Sequence, residues 1–376
     1  MKITKVEAIP LSSPQTLPSG TVIVKVYTDE EIVGVGQPSS AGSPLAISAI
    51  VNWLSRFVIE EDPFNVERIW QKLYDQAVWF GHAGGVIRAI SGIEMALWDI
   101  IGKALKVPCY KLFGGFFREK VKVYASDTAF RKSPKEAAKD AVRWVEAGFE
   151  CIKHHISGDV KRDLEMVKLV RDSIGDDIDF IVDLSKKFDP TTAIRVAKKM
   201  EKYDIFMFEE PVPPDDVDAL VKVRSALDTP IATGETVYTR YGFKEILVKG
   251  AADIIQPDCT VVGGMMEWKK VCAMADAWRV PVIPHAWGTQ LTTIAHLHLA
   301  VSTPNFVMLE YPYEMHLEHP FMRELLTEPI KFKNGFIEVP KKPGLGISLN
   351  EEALSKYLCK NESELKYQSR SPSMYK

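Results

Sequence analysis

FIVD (180–183), IFMFEEP (205–211) and PIATGE (230–235) are three apolar runs that each end at a carboxylate: Asp183, Glu209 and Glu235. The steps from 183 to 209 and from 209 to 235 are both 26 residues, and a helix-length amphipathic stretch fills each gap. In a parallel (β/α) barrel, that period sets consecutive strand ends side by side on one rim, where such barrels build their active sites. Three acids converging there repel one another unless something neutralises them. A hard divalent cation does so most simply, and Mg²⁺ takes oxygen ligands while keeping positions open for substrate. The pattern points to a metal-assisted enzyme.

Working outward from these runs, short apolar strands are expected at 121–126, 150–156, 179–184, 205–210, 230–235, 253–258, 280–286 and 306–311. Amphipathic helices such as Pro134–Ala147 and Thr191–Lys202 lie between them. Eight strands in strict alternation with helices argue for parallel units closing into a barrel over 121–330. Residues 1–120 read as a small α+β unit. Its strands are Ile3–Pro10, Val22–Tyr27 and Val33–Pro38, with a Ser/Pro/Gly-rich loop at Ser12–Gly20. Its helices are Ala46–Val58, Val66–Ala77 and Val86–Lys103. After the eighth strand, Tyr311–Pro329 reads as irregular. Residues 331–376 return as a β-rich or mixed segment, with a polar, frayed tail at SRSPSMYK.

At 376 residues the chain exceeds one core of ordinary size, and a barrel alone takes about 250 residues. A net charge of −3 gives no footprint for nucleic acid. No run approaches the ~18 apolar residues of a membrane span, and Met1-Lys2 leads into a strand, not a signal peptide. Cysteines 109, 151, 259, 272 and 359 are scattered and odd in number, so they read as buried thiols of a cytoplasmic protein.

Round the expected rim, the second barrel strand ends in Lys153-His154-His155. Side chains two apart share a face, so Lys153 and His155 point together and His154 points away. The sixth strand ends at Asp258, the seventh at His285 and the eighth at Glu310. Glu210, next to Glu209, must face the opposite way in a structural role. Gly114-Gly115 and Gly263-Gly264 lack the spacing of a phosphate loop and read as turns. Trp79, Phe80 and His82 are either ordinary packing residues or reach the substrate.

These residues resemble the enolase superfamily, and within it the mandelate racemase-like branch. The matching elements are Lys153-x-His155, Asp183, Glu209-Glu210-Pro211, TGET at Glu235, PDCTVVGG at Asp258, PHAWGT at His285, and Glu310. ALWD (96–99), LFGG (112–115) and PGLG (343–346) match as well, so the resemblance covers nearly the whole chain. It implies a (β/α)₇β barrel capped by an α+β domain made from both ends of the chain. It also implies Mg²⁺ on Asp183, Glu209 and Glu235, with Lys153, His155, Asp258, His285 and Glu310 as the catalytic set.

On that reading the ion offsets the charge that builds up when a proton α to a carboxylate is removed, giving an enediolate. Glu310, protonated or hydrogen-bonding, helps from the other side. Strands 2 and 7 lie three steps apart round the ring, so His155 and His285 face opposite sides of a substrate. Asp258 fixes the His285 tautomer and brings its basicity near the working pH. Lys153 binds the substrate carboxylate or tunes His155.

The resemblance implies an acid-sugar dehydratase giving a 2-keto-3-deoxy acid from gluconate, arabinonate or xylonate. The alternative is a racemase or epimerase of a 2-hydroxy acid. Ser185 stands where galactonate-type dehydratases carry a histidine, which argues against that substrate. The polar Ser12–Gly20 loop favours a polar ligand. A homo-oligomer, dimer or octamer, is implied by the resemblance alone.

Overall fold

Eight buried side chains, one from each extended segment of the barrel, touch across its axis: Tyr124, Cys151, Ile181, Met207, Ala232, Ile254, Ile283 and Met308. Strand side chains alternate between two faces, so neighbours one residue along point outward. Ile152, Val182, Phe208, Ile231, Ile255, Val282 and Leu309 accordingly belong to the outer core with Ala137, Trp144, Val167 and Val196 of the surrounding helices. The protein is described from a computed structural model, in which all residues except 14–16, 41, 128–131, 362, 364 and 366–376 are described.

The N-terminal unit is an antiparallel sheet of β1 (Ile3–Ser13), β2 (Leu17–Thr28) and β3 (Val33–Gly36). Helices α1 (Pro44–Ser55), α2 (Val66–Gln76) and α3 (Gly85–Ala104) pack on it, and a short α4 (Cys109–Leu112) leads to the barrel. The loop expected at Ser12–Gly20 is instead the tip of a long hairpin. Antiparallel pairing continues to Ser13↔Leu17, so ladder bonds override the local turn signals. The polar residues at 14–16 lie outside the described residues, as does the tail at 369–376.

The barrel runs β4 (Lys120–Ser126), β5 (Cys151–His155), β6 (Asp179–Asp183), β7 (Ile205–Glu209), β8 (Ile231–Thr233) and β9 (Ile254–Ile255), all parallel. Closure comes through the bridges Ile255↔Val282 and Val282↔Phe306 and through β10 (Leu309–Tyr311), which pairs with β4. The sixth strand is far shorter than 253–258, and 280–286 forms no regular strand at all. Pro257, Pro281 and Pro284 have no N–H to give to a ladder, so these segments run extended with isolated bonds.

Between the strands stand α5 (Pro134–Glu146), α6 (Val160–Ile174), α7 (Pro190–Met200), α8 (Val217–Arg224), α9 (Thr239–Lys249), α10 (Met265–Ala277) and α11 (Gln290–Ala300). Side chains of Ser133, Asp159, Asp189, Asp216 and Thr289 accept the first N–H groups of their own helices. Helix α10 follows Gly264 and has no cap of its own. Its Met265 and Met266 N–H groups donate to Glu94 of α3 at 2.7 and 2.9 Å, so one domain caps a helix of the other. A Cβ on Gly264 would sit 2.2 Å from Glu94 Oε2, and both Gly263 and Gly264 have positive φ, so this glycine pair is a close-approach turn.

The stretch expected to be irregular after the eighth strand contains two short helices, α12 (Tyr313–Glu318) and α13 (Pro320–Glu324). A hairpin of β11 (Phe332–Lys333) and β12 (Phe336–Glu338) then adds antiparallel to β4. Beyond it the chain reaches the N-terminal unit. Asp99 Oδ1 accepts from Leu345 N at 2.8 Å, while Oδ2 accepts from Val35 N at 2.9 Å and Lys103 Nζ at 2.6 Å. Farther on, Leu358 bridges Leu11 beyond helix α14 (Glu351–Lys356).

Asp99 is fully buried, so Asp99→Ala strands two buried N–H groups and takes the carboxylate from Lys103, which keeps the Val33 carbonyl. The expected cost is about 3 kcal/mol. It is read as a lower denaturant midpoint, and an unshifted midpoint would refute the tie's structural weight.

Candidate active site

Two residues beyond the apolar ring, along the same face, come Ser126, Lys153, Asp183, Glu209, Gly234, Gln256, His285 and Glu310. The site is therefore the next layer of the barrel interior, on the C-terminal rim. Parity places every acid except Glu235, which is three beyond Ala232. Gly234, at φ 131°, breaks the alternation and turns Glu235 inward; a Cβ there would also strike Phe243.

Asp183, Glu209 and Glu235 each bring a carboxylate oxygen within 4.8 Å of the other two. Lys153, fully buried, lies against them, with Nζ 2.7 Å from Glu209, 2.8 Å from Glu310 and 3.8 Å from Asp183. His155 Nε2 is 2.9 Å from Asp183 Oδ2. His154 points outward, as its parity requires, to Asp127 at 2.9 Å and the Trp144 ring.

Across the mouth, His285 Nδ1 meets Asp258 Oδ2 at 2.7 Å and its Nε2 lies 3.5 Å from Glu235. Asp258 Oδ1 accepts from Thr260 N and Oγ1, both at 2.7 Å, an Asx-type turn that fixes the carboxylate. Glu310 accepts from Ser126 Oγ at 2.7 Å, from Ala286 N at 2.9 Å and from Lys153. Glu210 is buried, bonded to Thr233 Oγ1 and Gly234 N, and shares Lys186 with Glu235.

The charges follow this arrangement. Burial alone would raise Asp183, but His155, Lys153 and Lys186 together hold it far below the usual carboxylate range. Glu235 is likewise held at about 2 by Lys186 and His285 against its burial. Burial lifts Glu209 to about 7, and the crowding of Asp183, Glu310 and Glu235 adds to it against Lys153. Burial would raise Glu310, but Lys153 and His285 together hold it below its ordinary value. His285 is carried up to about 10, because Glu235, Glu310 and Asp258 outweigh its burial. That lies well above the near-neutral working range expected from Asp258 alone.

A hard cation suits this donor set. Oxygen ligands converge from three carboxylates, and Glu209 Oε2 is buried with no hydrogen-bond partner among the described residues. Two other acidic or mixed groups, around Asp127 and around Cys259, are either filled by Lys132 and Arg143 or contain a thiol.

Residues 6–114 match the mandelate racemase/muconate lactonizing enzyme N-terminal domain, and 136–353 match the enolase C-terminal domain-like family. The chain belongs to the enolase superfamily. Among its superfamily relatives, the D-xylonate dehydratase of Haloferax volcanii is 34% identical, over 91% of this chain and 86% of that protein. The arabinonate dehydratase of Saccharolobus solfataricus is 33% identical, over 92% of each. The solved 3,6-anhydro-D-galactonate cycloisomerase of Zobellia galactanivorans superposes with a TM-score of 0.88 at 31% identity, covering 96% of this chain and all of that one.

Several site residues escape sequence reasoning. Ser126 had a signal, since it sits two past an inward tyrosine. Trp287, whose ring lies 6.4 Å from His155, is two past His285 on the same parity. Lys186 had none, because it follows a backbone reversal. Trp79, Phe80 and His82 stay with the N-terminal unit: Trp79 is 91% exposed, Phe80 packs on Trp53 and His82 stacks on Tyr74. All five cysteines are buried, and no helix among the described residues is long and apolar enough to cross a membrane.

Proposed function

We propose that this chain is a Mg²⁺-dependent acid-sugar dehydratase, a hydro-lyase acting on an aldonate such as xylonate, arabinonate or gluconate. The observation that carries the reading is the convergence of Asp183, Glu209 and Glu235 between two histidines, His155 on Asp183 itself and His285 on Asp258. Relatives named as aldonate dehydratases support the substrate class.

Asp183, Glu209 and Glu235 would hold the ion, which supplies Lewis-acid charge opposite the oxygens of the substrate carboxylate. The chain's own groups do the rest. Lys153 and Glu310 position the carboxylate end. One histidine takes the proton at C2, and the other protonates the departing C3 hydroxyl. Which does which follows from the configuration at C2. A cation held by Glu235 would offset the largest of the attractions that raise His285 and so lower its pKa from about 10. Ser185 donates its N–H to Asp183 and carries no titrating group, so it takes no part as acid or base.

The two-sided placement of His155 and His285 also favours a second reading, epimerisation or isomerisation of a hydroxy acid. A panel of aldonates in D₂O with Mg²⁺ decides between them. Accumulation of a 2-keto-3-deoxy acid is expected, and it should stop on chelation. Deuterium entering recovered substrate without ketoacid would replace dehydration by epimerisation. No turnover of any hydroxy acid would sink both.

A further inference from the structure

Lys186 belongs to no part of the mechanism above, yet it reaches into the acid cluster. Its Nζ is paired with Glu235 Oε1 and lies 3.7 Å from Glu210 Oε2. The ammonium is mostly buried, with only 14% of the side chain exposed. An uncommon backbone delivers it there. Ser185 and Lys186 are consecutive non-glycine residues at φ 55° and 59°, and Glu210, whose carbonyl accepts from Lys186 N at 2.8 Å, sits at φ 46°. Such conformations are disfavoured and persist only where surrounding contacts enforce them, most often at functional sites. The next residue, Lys187, turns the other way to the carbonyls of Ile156 and Ser157, so the reversal singles out Lys186 for the cluster.

Charge is divided in two halves across the layer. Lys153 serves Glu209, Glu310 and Asp183, while Lys186 serves Glu235 and Glu210. Among the described residues, Glu235 is thus the triad member in direct ion-pair contact with a lysine from outside the strand-end set, and His285 Nε2 lies 3.5 Å from its other oxygen. A divalent ion bound by that triad needs lone pairs of Glu235, and Lys186 competes for the same carboxylate. Two cations sharing one carboxylate repel strongly when little water lies between them.

We infer that Lys186 is a built-in competitor for Glu235 that sets the affinity of the site for its divalent cation. This rests on the reading that Asp183, Glu209 and Glu235 hold the ion. Lys186 then exchanges places with it: as the ion seats, the ammonium gives up Glu235 and keeps Glu210. Weaker ion binding is the cost, and a folded, charge-balanced cluster without the ion is the gain.

The test titrates purified, full-length protein with Mn²⁺ alone, counting free ion by electron paramagnetic resonance, with no substrate or turnover involved. Lys186→Met should tighten Mn²⁺ binding by at least about tenfold, while Lys186→Arg keeps the wild-type affinity. The ion-free melting temperature of Lys186→Met should fall, and saturating Mn²⁺ should raise it by more than it raises the wild type. Lys186→Gln serves if the methionine variant does not fold. Unchanged or weaker binding in the neutral variants overturns the competitor role, as does tightening in Lys186→Arg. Glu235→Gln is run alongside. If the wild type binds no Mn²⁺, or Glu235→Gln binds it as well as the wild type, the metal reading itself fails, whatever Lys186 does.

Discussion

Glu209→Gln is expected to abolish turnover, by at least about 10³-fold or about 4 kcal/mol of transition-state stabilisation, while leaving the fold intact. The side chain is wholly buried, and its amide replacement fills the same space. Lys153 keeps Glu310 at 2.8 Å and Asp183 at 3.8 Å, so no ammonium is stranded. On the proposed reading, the change removes one hard oxygen ligand and would weaken ion binding. Stability should move the other way. Burial and neighbouring acids lift the Glu209 carboxyl from 4.5 to about 7. A carboxyl raised on folding binds its proton more tightly in the folded chain, so its contribution is favourable below pH 4.5 and is lost as pH climbs through about 7. Above that range, without added ion, Glu209→Gln should melt no lower than the wild type. A variant that keeps wild-type turnover, or one that simply unfolds, contradicts this account.

Asp258→Asn and His285→Asn are expected to lower kcat by about 10²–10⁴-fold, the usual weight of a positioned acid or base. Asp258 acts through His285. It meets Nδ1 at 2.7 Å, so the proton stays there and Nε2 is presented to the mouth. It also raises the imidazole's pKa, together with Glu235 and Glu310, against burial. Removing its charge lowers that pKa. Where His285 serves as base, the acidic limb of the kcat/KM profile should shift to lower pH in Asp258→Asn, since the neutral imidazole then survives further into acid. Thr260 continues to donate to the asparagine oxygen, so the turn is kept, while the amide NH₂ now faces Nδ1 and favours the Nε2–H tautomer, which adds to the loss of kcat. A lower kcat with an unmoved limb would make Asp258 merely structural.

Much of this site was legible in the sequence because a barrel strand obeys a period of two. Apolar run followed by acid located Asp183 and Glu209, and the same alternation separated Lys153 and His155 from His154. Legibility ended where the backbone leaves the pleat. Gly234 shifts Glu235 by one position, and the left-handed pair Ser185–Lys186 sends a lysine where no alternation predicts it. Proline hid the short pairing of 253–258 and 280–286, whose apolar character comes from burial and not from a ladder. In the N-terminal unit the error ran the opposite way. Ser12, Ser13 and Gly20 look like a loop, yet Leu11↔Thr21 and Ser13↔Leu17 pair because the partner strand is already in register.

The bonds from Asp99 to Leu345 and the bridge from Leu11 to Leu358 tie the first-made part of the chain to one of the last. During synthesis the amino-terminal sheet leaves the ribosome early but has to wait for the entire barrel before its final partners emerge. Completion of the N-terminal unit is thereby a late event that follows synthesis of the barrel.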